Sequence, residues 1–476
     1  MAMANVIGTR IGGRMDRLQL GPFHRRLLAL IGAGLFLDGF ELYLTAGVLG
    51  ALTKSGWSNM AYNASFVSAT FIGMVIGAWM AGILGDRYGR RFTYQFNLLL
   101  FGGASLAAAF APNIETLIGL RFIMGIGLGA EVVVGYATLT EFVPASHRGR
   151  MIGWLAVITN SSLFASTMLS LWIIPNLGWR YMFALVGVGA LIVWALRKNL
   201  PESPRWLEVQ GRHEEAARIV DQMERESGIA PDARAPVHAP SAASAVPTAD
   251  KVSVWSLFKP PVLRRTLMGI LVNIVIGFCL YGFINWLPTF LVKQGVSIAS
   301  SLLWLTVMAL GAPAGALIGL LLSDHVGRKP VIVGASLWAA FFGIAFAYIG
   351  SSGNAYALMV VGFLLFIGIY VILAVGFALH VPELFRTEFR LRGTAVCSTA
   401  GRITTASVQY AVIMLFAFGG LTGVVSLLVS LLLVQAAVFA IFGIETAKQS
   451  LEEIDDSTPQ AGREPLAVRP AAQATL

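Results

Sequence analysis

Four ionisable side chains lie within long apolar stretches of the sequence: Asp38, Glu41, Arg121 and Arg402. A carboxyl group in such surroundings can take up and release a proton, and a guanidinium can hold a carboxylate through two parallel hydrogen bonds. An unpaired charge at the centre of a membrane costs at least about 2.5–3.5 kcal/mol, so each of these groups needs a partner. Their types and positions therefore indicate ion pairing, proton exchange or the binding of an anion.

Asp38 and Glu41 are three residues apart and share one face of a helix. At 1.5 Å per residue they lie about 16 and 21 Å from one end of their apolar stretch, and Arg121 lies about 10 Å from the opposite end of another. Glu41 and Arg121 thus reach a similar depth, and we expect them to pair. Two carboxyl groups that compete for one arginine leave one of them able to take up a proton near neutral pH, and we expect this to be Asp38, with Arg121 sensing the proton. The alternative is a static ion pair that only joins the two helices.

Composition indicates a membrane protein. Of the 476 residues 56% are hydrophobic and 12% are charged, with a mean hydropathy of +0.73, whereas soluble domains carry about a quarter charged residues. Apolar windows of about 20 residues, enough to cross a hydrocarbon layer about 30 Å thick, recur along the chain. They predict an all-α membrane protein with twelve transmembrane helices, at residues 27–50, 63–84, 94–112, 115–142, 150–173, 178–198, 264–290, 299–322, 330–350, 355–381, 393–417 and 421–443.

The chain has 34 lysine and arginine residues against 25 aspartate and glutamate residues. The basic residues gather before the first predicted span and in alternate short loops after the second, fourth, eighth and tenth spans. By the positive-inside rule we expect a multi-pass protein of the inner (plasma) membrane with both termini in the cytoplasm. The positive charge therefore does not indicate a nucleic-acid partner.

A polar segment separates the sixth predicted span from the seventh. We divide the chain into a cytoplasmic N-terminal segment (1–26), a first six-helix half (27–198), a cytoplasmic linker with short helices (199–263), a second six-helix half (264–443) and a cytoplasmic tail (444–476). We expect the Pro/Ala/Ser run at 231–250 and the tail to be flexible. Six spans, a linker and six spans are typical of parallel repeats, in which the substrate site lies near the midplane between the halves.

A charged turn follows the second span of each half: Asp86-Arg-Tyr-Gly-Arg90-Arg91 and Asp324-His-Val-Gly-Arg328-Lys329. This repetition indicates two homologous halves that enclose a path through the membrane. We expect ion pairs between the halves to act here as a cytoplasmic gate, whereas the alternative is that the arginines only hold the loops inside the cell. The gate candidates are Asp86, Arg90, Arg91, Glu141, Arg148, Asp324, Arg328 and Glu383.

The sequence resembles the major facilitator superfamily, and within it the sugar-porter-like group. The first charged turn matches the superfamily signature at every key position, and the second has Leu320 where the signature has glycine. Three stretches are similar to further family motifs: Arg121-Phe-Ile-Met-Gly-Ile-Gly-Leu-Gly129, Pro201-Glu-Ser-Pro-Arg-Trp206 and Pro382-Glu-Leu-Phe-Arg386. The resemblance covers roughly residues 25–455 and implies a twelve-helix secondary transporter that works by alternating access.

Other residues resemble a branch of metabolite:proton symporters that includes the bacterial niacin transporters, with the synaptic vesicle glycoprotein 2 proteins as animal relatives. They are Asp38-Gly-Phe-Glu41, Tyr281-Gly-Phe-Ile-Asn-Trp286 and Arg402. The glutamine pair of sugar-specific members is missing from the seventh span, where Asn273-Ile-Val-Ile-Gly277 stands. We therefore expect proton-coupled uptake of a small aromatic acid such as nicotinate. The alternatives are a sugar or polyol transporter and, from another class, a non-transporting membrane receptor or scaffold.

A small planar acid needs an aromatic wall and a few fixed polar groups near the midplane. Amides and aromatic rings of the fifth, seventh and tenth spans offer both, and the planar guanidinium of Arg402 suits a carboxylate. The alternative for Arg402 is that its long side chain reaches back to the membrane surface. The substrate-site candidates are Asn160, Phe164, Tyr281, Asn285, Trp286, Tyr370, Phe377 and Arg402.

No P-loop, metal-ligand cluster or nucleophile–base motif stands out in the sequence, so we expect neither catalysis nor a metal or cofactor. The expected partners are the lipid bilayer, a small-molecule substrate of the monocarboxylate type, and protons whose gradient drives transport. We expect the protein to be a monomer.

Overall fold

The computed structural model describes residues 11–144, 147–227, 254–260, 262–350, 354–385 and 387–446, and the side chains of 254, 324 and 387–391 lie outside the described set. The first half contains α1 (Pro22–Lys54), α2 (Met60–Tyr88), α3 (Arg90–Ala108), α4 (Ile114–Phe142), α5 (Arg148–Asn176) and α6 (Arg180–Arg197). Two short helices follow, α7 (Pro204–Val209) and α8 (His213–Glu226), and a 3-10 turn spans Val254–Phe258. The second half contains α9 (Val262–Lys293), α10 (Ile298–Ser323), α11 (Arg328–Gly350), α12 (Ala355–Glu383) and α13 (Thr387–Phe442).

Ten of the described helices are long and apolar enough to cross a membrane. The helix α3 lies beside them in the first half although its hydropathy is lower, since it begins with Arg90 and Arg91 and contains Gln95 and Asn97. The helix α13 is interrupted at Gly420, where φ is 57°, and its two arms are the eleventh and twelfth spans. The prediction of an all-α membrane protein with twelve spanning helices in two halves is confirmed. Several helices are longer than the predicted spans, as α1 is.

Glycine allows α2 and α4 to pack with their backbones in contact. A methyl group added at Gly77 of α2 would lie 1.9 Å from the Ile126 carbonyl oxygen, and one at Gly125 or Gly129 of α4 would lie 2.2 Å from a carbonyl oxygen of α2. Small residues serve this purpose in membrane helix pairs, where close backbone packing replaces the hydrophobic effect as the attraction. This contact fixes the depth of α4, and with it the position of Arg121.

Two helices of the second half lose regular geometry, α9 near its middle and α12 toward its C-terminal end. A wide π turn occupies Phe278–Phe283 of α9, five residues before Pro288, and another occupies Ile372–His380 of α12, directly before Val381-Pro382. Proline lacks a backbone N–H and its ring collides with the carbonyl four residues earlier, so the turn in front of it cannot keep the α-helical ladder. Such π turns are frequent at functional sites.

We name the end of the membrane body that carries Arg87–Arg91, Arg148 and Arg328 the basic end, and the other the opposite end. Hydrogen bonds between the halves lie from mid-depth to the opposite end. Ser65 Oγ is 3.1 Å from Tyr410 Oη, Ser68 Oγ donates to the Ala406 carbonyl at 2.6 Å, and Asn285 Nδ2 donates to the Leu42 carbonyl at 3.1 Å. These contacts hold the halves together at the opposite end.

The N-terminal segment and α8 pack against the basic end of the first half. The buried face of α8 consists of Ala216, Val220 and Met223. Arg14 joins the two segments, because its Nε donates to Glu224 at 2.9 Å and it also pairs with Asp221. The described part of the linker is thus docked, whereas the predicted flexible run 231–250 and the tail from residue 447 lie outside the described residues.

Replacing Gly77 by alanine tests the close contact of α2 and α4. The added methyl group must displace the backbone at Ile126, and overpacking of this kind lowers the free energy of unfolding by about 1–3 kcal/mol. Gly82→Ala on the same helix is the matched control, because a methyl group there meets no atom within 4 Å. In a helix that change alone stabilises by about 1 kcal/mol. Thermal unfolding in detergent measures both, and equal midpoints for the two variants would contradict the contact.

Candidate functional site

Glu41 and Arg121 form an ion pair in the interior of the first half. Arg121 Nη1 lies 2.5 Å from Glu41 Oε1, and Nη2 hydrogen-bonds to Thr45. The other carboxylate oxygen accepts a hydrogen bond from Ser105 at 3.4 Å, and the guanidinium lies over the ring of Phe66 at 4.3 Å. Arg121 is 1% exposed and Glu41 is not exposed at all. The pairing agrees with the prediction, and every contact of the pair lies within one half rather than between halves.

A second buried ion pair, which we did not identify from the sequence, joins Glu131 of α4 to Arg197 of α6. Arg197 Nη1 hydrogen-bonds to Glu131, Nε donates to the Leu30 carbonyl at 2.9 Å and Nη2 donates to the Ile31 carbonyl at 3.0 Å. Both side chains are 2% exposed. The signal was present, because Glu131 is an isolated acid within an apolar span, as Glu41 is.

Asp38 lies beside this second pair rather than beside Arg121. Gly34, one helical turn earlier on α1, is so close to the pair that a methyl group there would lie 2.0 Å from Arg197 Nη2. Asp38 interacts electrostatically with Glu131, Arg197 and Glu41. It is 2% exposed, and neither of its carboxyl oxygens has a hydrogen-bond partner among the described residues. The expectation that Asp38 and Glu41 compete for one arginine is therefore wrong, because each of them faces a different arginine.

An aromatic cluster lies where the two halves meet, and it contains two of the predicted substrate residues, with a third, Arg402, beside it. The ring of Tyr281 stacks on Tyr43 at 6.4 Å and lies 4.6 Å from that of Phe71. The hydroxyl of Tyr370 donates to that of Tyr43 at 3.1 Å. Arg402 interacts electrostatically with Tyr281, and its Nη1 donates to the Met74 carbonyl in the middle of α2 at 3.1 Å. Arg402 thus does not reach back to the membrane surface.

Asn285 and Trp286 of α9 are buried next to this cluster. The amide nitrogen of Asn285 donates to α1, but its oxygen has no hydrogen-bond partner among the described residues. Trp286 Nε1 donates to Gln409 Oε1 of α13 at 2.7 Å, and its ring stacks on that of Phe290 at 5.9 Å. Gln409 was not among the predicted residues, although it is a lone amide in an apolar span. The indole N–H of Trp286 is therefore already hydrogen-bonded within the protein in this conformation.

The other three predicted substrate residues are not part of the aromatic cluster. Asn160 and Phe164 on α5 are half-buried, and within the described part of the chain no hydrogen bond or ring contact joins them to it. Phe377 lies in the π turn of α12 and is 39% exposed. The structure brings together Tyr281, Tyr370 and Arg402, with Asn285 and Trp286 adjacent.

The charged turn of the first half is hydrogen-bonded to two glutamates, Glu141 of α4 and Glu202 of the segment that follows α6. Arg90 donates through Nε and Nη2 to Glu141 at 3.0 and 2.9 Å, through Nη1 to the Gly85 carbonyl at 2.6 Å, and to Asp86 at 3.2 Å. Glu202 accepts the backbone N–H groups of Arg90 at 2.9 Å and Arg91 at 3.2 Å, at the N-terminus of α3. Burial raises the pKa of Glu202, and these hydrogen bonds oppose that rise.

The second half repeats this arrangement. Arg328 donates to Glu383 at 3.3 Å and to the Ser323 carbonyl at 2.8 Å, and Glu445 accepts the backbone N–H groups of Arg328 and Lys329 at 2.9 and 3.1 Å. We expected gate residues to pair between the halves, but these pairs each join elements of one half. The side chain of Asp324 lies outside the described residues.

Arg148, another gate candidate, donates a hydrogen bond through Nη2 to the Val143 carbonyl at 3.4 Å, within its own half. Leu320 stands in the second turn where the first has Gly82, and its side chain is 37% exposed. Among the described residues no cluster of three or more histidine, cysteine or acidic side chains can hold a metal ion.

Comparison with known proteins relates the chain to membrane transporters. The sequence model of the family described as "Sugar (and other) transporter" matches residues 29–457. The inner membrane metabolite transport protein YdjE of Escherichia coli (strain K12) is 37% identical over 452 residues, which cover 94% of this chain and 98% of that protein. The niacin transporter NiaP of Acinetobacter baylyi is 33% identical over 448 residues, 93% and 98% of the two chains. The xylose transporter XylE from E. coli, in a partially occluded inward open conformation, has a similar fold, with a TM-score of 0.73, 16% identity, and coverage of 90% and 99%.

Replacing Arg197 by methionine tests the second ion pair. The change leaves Glu131 as a buried carboxyl without its partner, which lowers the free energy of unfolding by about 3–5 kcal/mol. The double variant Glu131→Gln/Arg197→Met removes both charges and should recover most of that loss. Denaturant unfolding in detergent measures the variants and Glu131→Gln alone. Strictly additive effects of the two changes would show that the residues do not interact.

Proposed function

The chain belongs to the sugar (and other) transporter family, and on that premise we propose that it takes up a small aromatic carboxylate, with nicotinate as the specific candidate, together with protons. It is a multi-pass membrane transporter of metabolites with the major facilitator fold, not an enzyme. The proposed site lies at the aromatic cluster between the halves. We propose that the basic end faces the cytoplasm, following the positive-inside rule, in the inner membrane, where the relative YdjE also resides by its name.

The position of Arg402 beside the aromatic cluster is the observation that carries the substrate proposal. Its described hydrogen bond goes to a neutral carbonyl oxygen, and among the described residues no carboxylate acts on it electrostatically. A guanidinium at mid-depth whose partner is a neutral carbonyl keeps further N–H donors for a mobile anion. The rings of Tyr43, Phe71 and Tyr281 provide apolar faces against which a planar ring can stack. A small aromatic acid satisfies both requirements at once.

The charge count in the first half supports proton coupling. Among the described residues, its membrane interior contains three carboxyl groups, Asp38, Glu41 and Glu131, and two guanidinium groups, Arg121 and Arg197. A buried charge that is neither paired nor hydrogen-bonded is costly, and the group neutralises instead. The two hydrogen-bonded pairs use Glu41 and Glu131, so the excess proton belongs on Asp38. We propose Asp38 as the site of the coupling proton.

The helix α1 connects the proposed proton and substrate sites. It carries Asp38 and Glu41 toward the interior of the first half, and Tyr43 and the Leu42 carbonyl toward the second half. Loss of the Asp38 proton leaves a carboxylate next to Glu131, and this carboxylate attracts Arg197. Arg197 also donates hydrogen bonds to two carbonyl oxygens of α1. A small shift of α1 in response moves Tyr43 within the substrate site. Proton binding and substrate binding thereby affect the same helix.

A sugar or polyol is the second candidate substrate, and one observation favours it. The buried Asn285 oxygen has no partner among the described residues, and Gln409 lies on the neighbouring helix next to Trp286. Amides of this kind suit hydroxyl groups. This candidate leaves the charge of Arg402 unused, so we rank it below the carboxylate.

Arg402→Ala should raise the apparent KM for nicotinate but not for nicotinamide. A hydrogen bond to a charged group contributes about 1.5–3 kcal/mol, which corresponds to an increase of about 10- to 150-fold. Uptake of both radiolabelled compounds into proteoliposomes measures the effect, with Arg264→Ala as a control arginine that binds only the Phe442 carbonyl at the basic end in the described contacts. An equal increase for acid and amide would contradict a carboxylate contact.

Asp38→Asn should abolish uptake driven by an imposed pH gradient while leaving exchange of substrate across the membrane, because asparagine imitates the protonated acid but cannot release a proton. Glu115→Gln, an exposed acid in the first turn of α4, is the control and should retain both activities. Gradient-driven uptake and counterflow are measured in the same proteoliposomes. Undiminished uptake by Asp38→Asn under the pH gradient would rule out this residue as the coupling site.

A further inference from the structure

A cavity of about 590 Å³ opens at the basic end, between the start of α1 and the start of α5. The cavity lies far from the aromatic cluster along α1, because the α1 residues that line it precede Leu30. The α1 residue of the aromatic cluster is Tyr43. The polar and aromatic lining of the cavity consists of Gln19, His24, Arg25, His147, Arg150 and Trp154. Two arginines and two histidines thus line it, and in the described part of the chain no acidic residue does.

His24 supplies a buried donor at this cavity. Its side chain is not exposed, and its Nδ1 accepts a hydrogen bond from the Gly21 backbone N–H at 3.3 Å. When one ring nitrogen of a neutral histidine accepts, the other carries the proton. That nitrogen, Nε2, has no hydrogen-bond partner among the described residues. The ring is therefore fixed by the backbone in an orientation that leaves one N–H group for a ligand.

Charged groups around His24 do not cancel the basic character of the cavity. The Phe142 backbone is a polar neighbour of the His24 ring, and Glu226 of α8 and His147 interact with the ring electrostatically. Among the described residues neither Glu226 nor any other carboxylate lines the cavity, whereas the exposed guanidinium groups of Arg25 and Arg150 do. The cavity also adjoins the first turn of α5, and the N-terminus of a helix favours an anion.

We propose that this cavity binds the phosphate group of an anionic ligand, either the headgroup of an acidic phospholipid or a free phosphate compound. A phosphate offers several acceptor oxygens, which matches the donors that Arg25, Arg150 and His24 contribute to the cavity lining. The volume exceeds the needs of a bare phosphate ion and accommodates a glycerol or sugar unit attached to it. Trp154, which is 55% exposed, stands at the rim. Exposed tryptophan is enriched at membrane interfaces, which favours the lipid source.

Ligand-dependent thermal unfolding of the full-length protein in a neutral detergent tests the site. The ligands are inorganic phosphate, short-chain phosphatidylglycerol and short-chain phosphatidylcholine, titrated at constant ionic strength. The test variant is Arg25→Ala/Arg150→Ala. The matched control is Arg17→Ala/Arg26→Ala, which removes the same charge from two exposed arginines of the same end that do not line the cavity.

We expect saturable stabilisation by phosphatidylglycerol or inorganic phosphate, with an apparent Kd that rises at least about tenfold in the test variant, because charge-assisted hydrogen bonds are lost. The control should stay within about twofold of the original protein, as surface charges contribute little. Stabilisation by the lipid alone identifies a headgroup, and stabilisation by phosphate alone identifies a free compound; both support the site.

Three results would overturn the proposal. They are the absence of saturable binding by either anion, equal affinities of the test and control variants, and equal stabilisation by phosphatidylcholine and phosphatidylglycerol. Arg25 and Arg150 are exposed, so their removal should leave the fold intact. Should the double variant nevertheless fail to fold, the single variants Arg25→Gln and Arg150→Gln are compared with Arg26→Gln by the same titration.

Discussion

Charge balance in a medium of low polarity is the constraint on which the first half is built. Its interior holds carboxyl and guanidinium groups that water cannot reach, so each charge must be met by another at hydrogen-bond distance. The Glu41–Arg121 pair ties α1 to α4, and the Glu131–Arg197 pair ties α4 to α6 while holding two carbonyl oxygens of α1. One buried acid of this half, Asp38, has no hydrogen-bond partner among the described residues.

The ion pairs and the aromatic cluster use different side chains of α1. One face of α1 contributes to the ion pairs, and the other contributes Tyr43 to the rings between the halves. The second half contains two helices that depart from α-helical geometry, since π turns precede Pro288 in α9 and Pro382 in α12. A half braced by buried ion pairs thus meets a half with two irregular helices.

Much of this could be predicted from the sequence, and the reasons differ by residue. Hydropathy defines the spans because the bilayer fixes their length, and the fixed rise of a helix placed Glu41 and Arg121 at one depth. The position of Asp38 beside Arg197 could not be predicted in this way, because spacing along the chain does not show that α6 packs against α1 near Gly34. The Trp286–Gln409 hydrogen bond likewise depends on which helices of the second half are neighbours. Isolated polar residues such as Glu131 and Gln409 were visible in the sequence, and only their pairing required the fold.

The acidic caps of the two charged turns have a consequence for how the protein is made. Glu202 reaches α3 from beyond the sixth helix, and Glu445 reaches α11 from beyond the twelfth. In each case the glutamate that caps the turn is therefore synthesised after all six helices of the half that it caps. The contacts of Glu202 can therefore form before the second half is translated, whereas those of Glu445 require all twelve helices.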